Sequence, residues 1–385
     1  MISRFDAAIV GAGPAGAFIA LRLARMGWRI AVIERGQRFR TKTCGHCLNP
    51  AAFSILDRAG LLDAIRAMAA GTTHMLRVHL PQRQPIDFPL VDDDSTAPGL
   101  IVPRHRLDQF LIDAAALAGA QIFQPASAKV RQFSIDGSTI DITCESHRFQ
   151  IQASLIIGAD GVGSAVARAA GLADGAAGRK YGFSFDIAGK SAVASSSGAI
   201  EMFIAPQGYL GMVDEGEDRL HVAALISTAA PRSQRDPWSF VRSAALLHDR
   251  LGRLKLCETS ADSVERFAAI GPMPWRPQAP ANRFVALVGD AAGYIEPFTG
   301  EGMAWAIHSA ETLADTLADS SPGLWNEQLA RRYSRAWSRE IGRSQCMCRI
   351  IAFGLGRRRS SNWMFRAGRS IPALSRRVVA RLVNA

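Results

Sequence analysis

The sequence predicts an α/β protein in which a parallel, Rossmann-like layer is interleaved with a second, antiparallel β-sheet and followed by a helical C-terminus. Three observations carry this. A strand from Ala7 to Val10 runs through a glycine-rich turn into a helix at 15–26 and a second strand at 29–34, which is a βαβ unit. Two further largely apolar strands, 151–157 and 284–288, are each followed by glycine and aspartate, so the chain returns to the same layer twice. Between Tyr181 and Ser227 the pattern shortens to β segments at 199–205, 209–213 and 220–227, with turn residues at 214–218.

The remaining elements follow in order. Residues 49–70 have helical spacing, with Asn49 able to cap, Pro50 in the first turn, and Gly60 interrupting the apolar face of Phe53, Leu56, Leu61 and Leu62. Residues 71–102 carry short β-like patterns punctuated by Pro81, Pro85, Pro89 and Pro98. Helical spacing returns at 107–117 and again from about Gly302 to Ala318, and a proline-rich stretch (Pro272, Pro274, Pro277, Pro280) leads into the strand at 284. The expected division is a discontinuous nucleotide-binding domain at 1–70, 101–170 and 280–320, a substrate domain at 71–100 and 171–279, and a basic helical region at 321–385.

With 385 residues, 48% hydrophobic and 21% charged, the chain is long enough for two units and too apolar to be disordered. Its net charge of +11 suggests nucleic acid or a membrane surface only until its distribution is seen. Nine arginines and no acidic residue lie between Arg349 and the end, which leaves +2 for residues 1–348. Nucleic-acid binding is therefore not expected. Six cysteines are too few for a disulfide scaffold, and the early apolar run 7–21 is broken by Gly11, Gly13, Pro14 and Gly16, so a cytoplasmic location with no transmembrane helix is expected.

Gly11, Gly13 and Gly16 form G-x-G-x-x-G between strand and helix, continuous with Pro14 and Ala15, and Glu34 with Arg35 closes the next strand. The first glycine permits the turn, the second lets backbone amides approach a pyrophosphate, and the third allows close helix packing, while the helix N-terminus favours phosphate. Glu34 suits ribose hydroxyls. This arrangement predicts a bound dinucleotide.

Three more segments narrow the choice: Arg104 before Leu107-Asp108, then Gly158-Ala159-Asp160-Gly161, then Gly289-Asp290-Ala291-Ala292-Gly293 continuing through Pro297, Gly300, Gly302 and Met303. Together they resemble FAD-dependent oxidoreductases of the p-hydroxybenzoate hydroxylase fold, in particular the geranylgeranyl-reductase-like branch, over roughly residues 1–320. The resemblance implies FAD, with Arg104 near its phosphate or ribose, Asp160 and Gly161 supporting it, and Asp290 on the ribityl hydroxyls. A helix starting near Gly302 would aim its dipole at the flavin and stabilise the anionic reduced ring. The sequence departs from aromatic hydroxylases at Gly293 and Ala304, from the Tyr-x-Trp-x-Phe of prenyl reductases around Tyr209, and from halogenases, whose tryptophan signature is absent.

Cys44-Gly45-His46-Cys47 admits a thiol redox pair, half of a zinc site, or a flavin-adjacent cysteine. No second ligand pair has matching spacing, so no metal is expected. Lys42 to Gly45 resembles the reductase branch, which implies Cys44 and Gly45 beside the flavin, and Cys44 and His46 are the candidate catalytic residues. Tyr209 is the candidate substrate contact. The C-terminal arginines, interleaved with apolar and aromatic residues, suit a helical lid over the substrate sheet or an amphipathic contact with a membrane surface.

The expected activity is NAD(P)H-dependent monooxygenation of a hydrophobic aromatic, polyketide or isoprenoid substrate. Its rivals are reduction of isoprenoid double bonds, thiol oxidoreduction through Cys44 and Cys47, and a non-catalytic flavoprotein scaffold.

Overall fold

The structure is a computed structural model that describes residues 2–342, apart from 39, 82, 92–96, 146, 174–179, 189–197, 228, 230–235, 255, 259–263, 274–275 and 296–299. The expected C-terminal lid or membrane contact, and Cys346 and Cys348, lie outside the described residues, as does Pro297.

The first sheet runs in the order Gln121–Phe123, Ile30–Ile33, Ser3–Val10, His147–Gly158, Ser138–Cys144, Ser127–Gln132. Its first four strands are parallel, and the last two form an antiparallel extension. The long strand His147–Gly158 is shared. Its beginning pairs with Ser138–Cys144, and its end pairs in parallel with Val285–Leu287. The late segment thus returns to the layer begun by the first strand, as its continuous apolar character predicts. Ile9, Val32, Leu155 and Ile157 are fully or almost fully buried and pack one face of this sheet against the helices Pro14–Arg25, Arg104–Leu117 and Gly302–Leu317.

The second sheet has the order Glu265–Met273, Lys180–Ala188, Arg219–Ser227, Gly208–Asp214, Ala199–Ala205, Met75–His79, Ile86–Pro89. It is antiparallel except between Ala199–Ala205 and Met75–His79, which are parallel, so the expected antiparallel sheet is in fact mixed. Strand alternation divides its faces. Phe183, Phe185, Leu210, Met212, Leu220 and Val222 pack against the helix Pro237–Leu247. Residues between them in sequence, such as Gly182, Gly211 and Ala223, turn towards the first sheet.

A small third sheet joins Cys47–Leu48, Gly99–Ile101 and Gly71–Thr73. The expected helix at 49–70 is two helices, Phe53–Arg58 and Leu62–Met68, parted at Gly60 with φ 68° and preceded by a 3-10 turn at Pro50–Ala52. Asn49 does cap that turn, accepting from the Ala51 amide at 2.9 Å. The strand Glu265–Met273 was not expected from sequence, and its last residues overlap the start of the proline-rich lead-in at Pro272. Its place at the sheet edge tolerates a terminal proline, which has no N–H to give a neighbour. Among the described residues no helix is long and apolar enough to cross a membrane.

Candidate functional site

A cavity of ≈ 1110 Å³ lies between the two large sheets. Gly11, Gly13, Pro14 and Ala15 line it at one end. Gly11 has φ 99°, and a Cβ there would lie 2.3 Å from the Ala159 carbonyl oxygen, so only glycine allows the turn. Gly16 is not at the cavity. A Cβ on it would sit 1.9 Å from the Gly11 oxygen, which makes it the residue of close helix packing. Gly13 differs from both, because its absent side chain faces open space with Arg104 Nη2 as the nearest group, 3.7 Å away.

Glu34 is buried, and its carboxylate braces the turn: Oε2 accepts from the Ala12 amide at 2.8 Å and Oε1 from the Gly36 amide at 2.7 Å. Lys42 lies 3.4 Å from the same carboxylate and from Asp108. Arg35 also lines the cavity. Arg104 is held by two bonds to Asp108, at 2.8 and 3.1 Å. Burial works against its charge, yet Asp108 and the Cys44 side chain, both hydrogen-bonded to it, raise its affinity for the proton above the ordinary arginine value.

Asp160 and Gly161 line the cavity through their loop, but the Asp160 carboxylate is turned to the start of the helix Ala165–Ala169, where it accepts from the Ala165 and Val166 amides at 2.6 and 3.2 Å. It shapes the loop by capping that helix. Gly289 has φ 59°, and a Cβ there would lie 2.9 Å from the Ala15 Cβ, so the late glycine packs directly on the first glycine turn. Asp290 beside it lines the cavity, and burial pushes its carboxyl up to about 6 against the opposing pull of Arg104. Gly300 (φ 85°), Gly302 and Met303 complete this edge, the last two at the N-terminus of the 16-residue helix Gly302–Leu317.

The loop holding Cys44 and Gly45 reaches the cavity from the nucleotide side. Cys44 is partly exposed, whereas Cys47 is buried, donates to the Gly45 carbonyl at 3.3 Å, and packs where a Cβ on Gly300 would come within 2.5 Å. Both are free thiols, as is Cys144. Burial, then the nearby Cys44 and Glu301, push the Cys47 thiol well up, so it holds its proton. His46 corrects the expectation that it faces substrate or flavin. Its backbone is left-handed (φ 59°), its ring is buried away from the cavity, and its Nδ1 bonds Glu215.

The cavity wall opposite the glycines is the second sheet, where Tyr209 and Gly211 stand on one strand, His221, Ala223 and Leu225 on the next, and Ile200 and Met202 beyond. Of these the sequence singled out Tyr209 alone. The period-2 pattern of 219–227 could have shown that His221 shares a face with Ala223 and Leu225.

The residues present fit FAD. The glycine turn leaves a cradle that a Cβ on Gly13 would enter, Arg104 offers positive charge at the helix start, and Asp290 presents a half-buried carboxyl for hydroxyl donors. The FAD binding domain family matches residues 4–342. The digeranylgeranylglycerophospholipid reductase 2 of Methanothermobacter thermautotrophicus is 26% identical over 366 residues, covering 92% of this chain and 89% of that protein. The crystal structure of a flavoprotein/dehydrogenase from Cytophaga hutchinsonii superposes with a TM-score of 0.83 at 18% identity, covering 99% of this chain and 93% of that one. PqsL, a probable FAD-dependent monooxygenase from Pseudomonas aeruginosa, gives a TM-score of 0.74 at 19% identity, over 94% and 100% of the two chains. At such identities these two structures establish the fold. The glycine cradle, the cavity-lining carboxyl of Asp290 and the match along nearly the whole chain agree, and the protein belongs to the FAD binding domain family as an FAD-dependent oxidoreductase.

Proposed function

We propose that this oxidoreductase reduces carbon–carbon double bonds of an isoprenoid lipid, drawing electrons from NAD(P)H or a reduced carrier. The observation that carries this is the cavity wall: a sheet face of small and apolar side chains (Gly211, Ala223, Leu225, Ile200, Met202), suited to a long, thin hydrocarbon. The nearly full-length similarity to a reductase of geranylgeranyl lipids supports it and moves reduction ahead of the oxygenation ranked first from sequence.

When bound and reduced, FAD supplies a hydride equivalent to an alkene carbon. The chain's own residues do the rest. The apolar wall orients the substrate and keeps water out. The Cys44 thiol holds a proton at the cavity edge for the second alkene carbon, and the Arg104 guanidinium, within hydrogen-bond reach of it, compensates the charge left on sulfur.

With anaerobically reduced enzyme and a geranylgeranylated glycerolipid in detergent, mass spectrometry should show two hydrogens gained per double bond, with no oxygen incorporated in air. Gly211→Trp should remain yellow, because a Cβ at Gly211 meets only the Ala223 oxygen, at 3.7 Å. Its indole fills the hydrocarbon's space and should raise KM by about tenfold or more. Oxygen-dependent product, or a Gly211→Trp enzyme with unchanged KM, would return the assignment to oxygenation or to another substrate class.

Asp290 predicts a pH dependence of cofactor binding. With its carboxyl at about 6, above the ordinary 3.8, the FAD-free folded state binds a proton that the unfolded chain releases, so folding stability falls as pH rises from about 4 to 6. Ribityl hydroxyls donating to the carboxylate favour its ionised form, so FAD affinity should rise with pH over that window, by up to about tenfold per unit. Titration of apoprotein with FAD at several pH values should show this slope, and Asp290→Asn should flatten it. A wild-type affinity constant across the window would remove Asp290 from the hydroxyl-binding role.

A further inference from the structure

Behind the Cys44 loop lies a buried polar cluster that the function above does not use. Asp186 and His221 are directly opposite each other on the neighbouring strands Lys180–Ala188 and Arg219–Ser227. Alternation puts both on the face away from the Phe183 and Val222 core, and His221 reaches the cavity. We propose that His221 is a positioning residue: its imidazolium, held by Asp186, clamps the Cys44 carbonyl and so fixes the thiol at the cavity wall. This rests on the assignment of Cys44 to the flavin site.

The protonation follows from the partners. His221 Nδ1 lies 2.5 Å from Asp186 Oδ1, and Nε2 lies 2.6 Å from the Cys44 carbonyl oxygen. Both partners accept, so both ring nitrogens carry hydrogen. The other Asp186 oxygen is paired in turn, with Arg266 Nε 2.5 Å from it. A shift in register between Ser184 and Asp186, with Arg266 at φ 50°, bulges the edge strand and aims the guanidinium inward.

His46 completes the cluster. Its ring stacks on His221, centroids 3.6 Å apart at 16°, while its Nδ1 bonds Glu215. Burial, then the charge on His221, hold its affinity for a proton well below the ordinary histidine value, with Arg104 and His105 acting in the same direction and Asp186 against. One ring of the stack is therefore charged and the other neutral. His46, Glu215 and His221 could be taken for cation ligands, but His221 donates from both ring nitrogens and so has no lone pair to offer, and His46 Nδ1 is engaged with Glu215. Burying such charges is costly unless each is paired. Here the arrangement ties the second sheet to one carbonyl of the cofactor-side loop, 177 residues away.

The test uses the full chain loaded with FAD. His221→Phe keeps the ring stack and removes the clamp, so kcat should fall about tenfold to a hundredfold with KM nearly unchanged and FAD retained. Adding Cys44→Ala to His221→Phe should cost little more, because both changes disable one group. Asp186→Asn is the conservative control. Its amide can accept from Arg266 and donate to Nδ1 of a neutral ring, which leaves Nε2–H on the Cys44 carbonyl, and its loss should be clearly smaller. Independent, multiplying effects of His221→Phe and Cys44→Ala, or an Asp186→Asn enzyme as impaired as His221→Phe, would overturn the proposal. Should His221→Phe not fold, nitrogen-15 histidine NMR of the wild type decides: both His221 ring nitrogens protonated at neutral pH sustains the clamp, and a singly protonated ring refutes it. A wild type that takes up FAD yet saturates no alkene would sink the substrate assignment, and the histidine NMR of that same protein would still decide the clamp.

Discussion

Gly13→Val should give a folded, colourless protein that no longer takes up FAD. The substitution separates cofactor binding from folding because of where the new atoms go. The backbone at Gly13 is extended (φ −71°), so valine brings no strain, and the nearest group to its Cβ is Arg104 Nη2 at an ordinary 3.7 Å. The branched methyls enter the cavity at the N-terminus of Pro14–Arg25, in the space that a pyrophosphate needs to reach the backbone amides. In wild type, FAD at about a hundred times its Kd stabilises the fold by ~2.7 kcal/mol. The variant should lose all of that gain while its cofactor-free melting temperature stays close to that of wild-type apoprotein.

Gly16→Ala makes the opposite separation. Its Cβ would lie 1.9 Å from the Gly11 oxygen and 2.9 Å from the Ala159 Cβ, so the helix must lift from the sheet, at a cost of about 1–3 kcal/mol or more. Its apoprotein should melt lower whether or not FAD is present. A Gly13→Val protein that remains yellow, with a normal FAD-induced rise in melting temperature, would refute the placement of the cofactor.

The glycine turn was legible in the sequence because its sterics leave few substitutes: Gly11, Gly16 and Gly289 each occupy a position where a Cβ would strike a neighbour. The strands 155–157 and 284–288 were legible because both of their faces are largely covered, which writes a short apolar run. What escaped depends on register. Asp186 meets His221 only through strand pairing 35 positions apart, and Glu215 meets His46 across 169, separations that no local pattern records. The placement of Arg266 needs a bulge in the edge strand Glu265–Met273, which was not expected from sequence. His46 was misjudged for the same reason. Its neighbour Cys44 does line the cavity, and nothing in Cys44-Gly45-His46-Cys47 announces the left-handed backbone of the third residue.

The two cysteines of that segment should behave unequally. Cys44→Ser should keep FAD and lower kcat by about a hundredfold, the lower end of what a positioned proton donor contributes. Serine preserves the size and the hydrogen bond to Arg104 but is a far weaker acid than a thiol, so the loss should fall on kcat, with KM little changed. Cys47→Ser should cost under about threefold in kcat. A serine hydroxyl can still donate to the Gly45 carbonyl, and the buried Cys47 thiol, its proton held chiefly by burial, is not available as the thiolate that disulfide exchange requires. Steady-state kinetics of both variants, with thiol counts of the resting and reduced enzyme, decide the matter. Equal and complete loss from either substitution, together with two thiols appearing only on reduction, would show a redox dithiol at Cys44 and Cys47 and displace the single-thiol role on which proton delivery to the alkene depends.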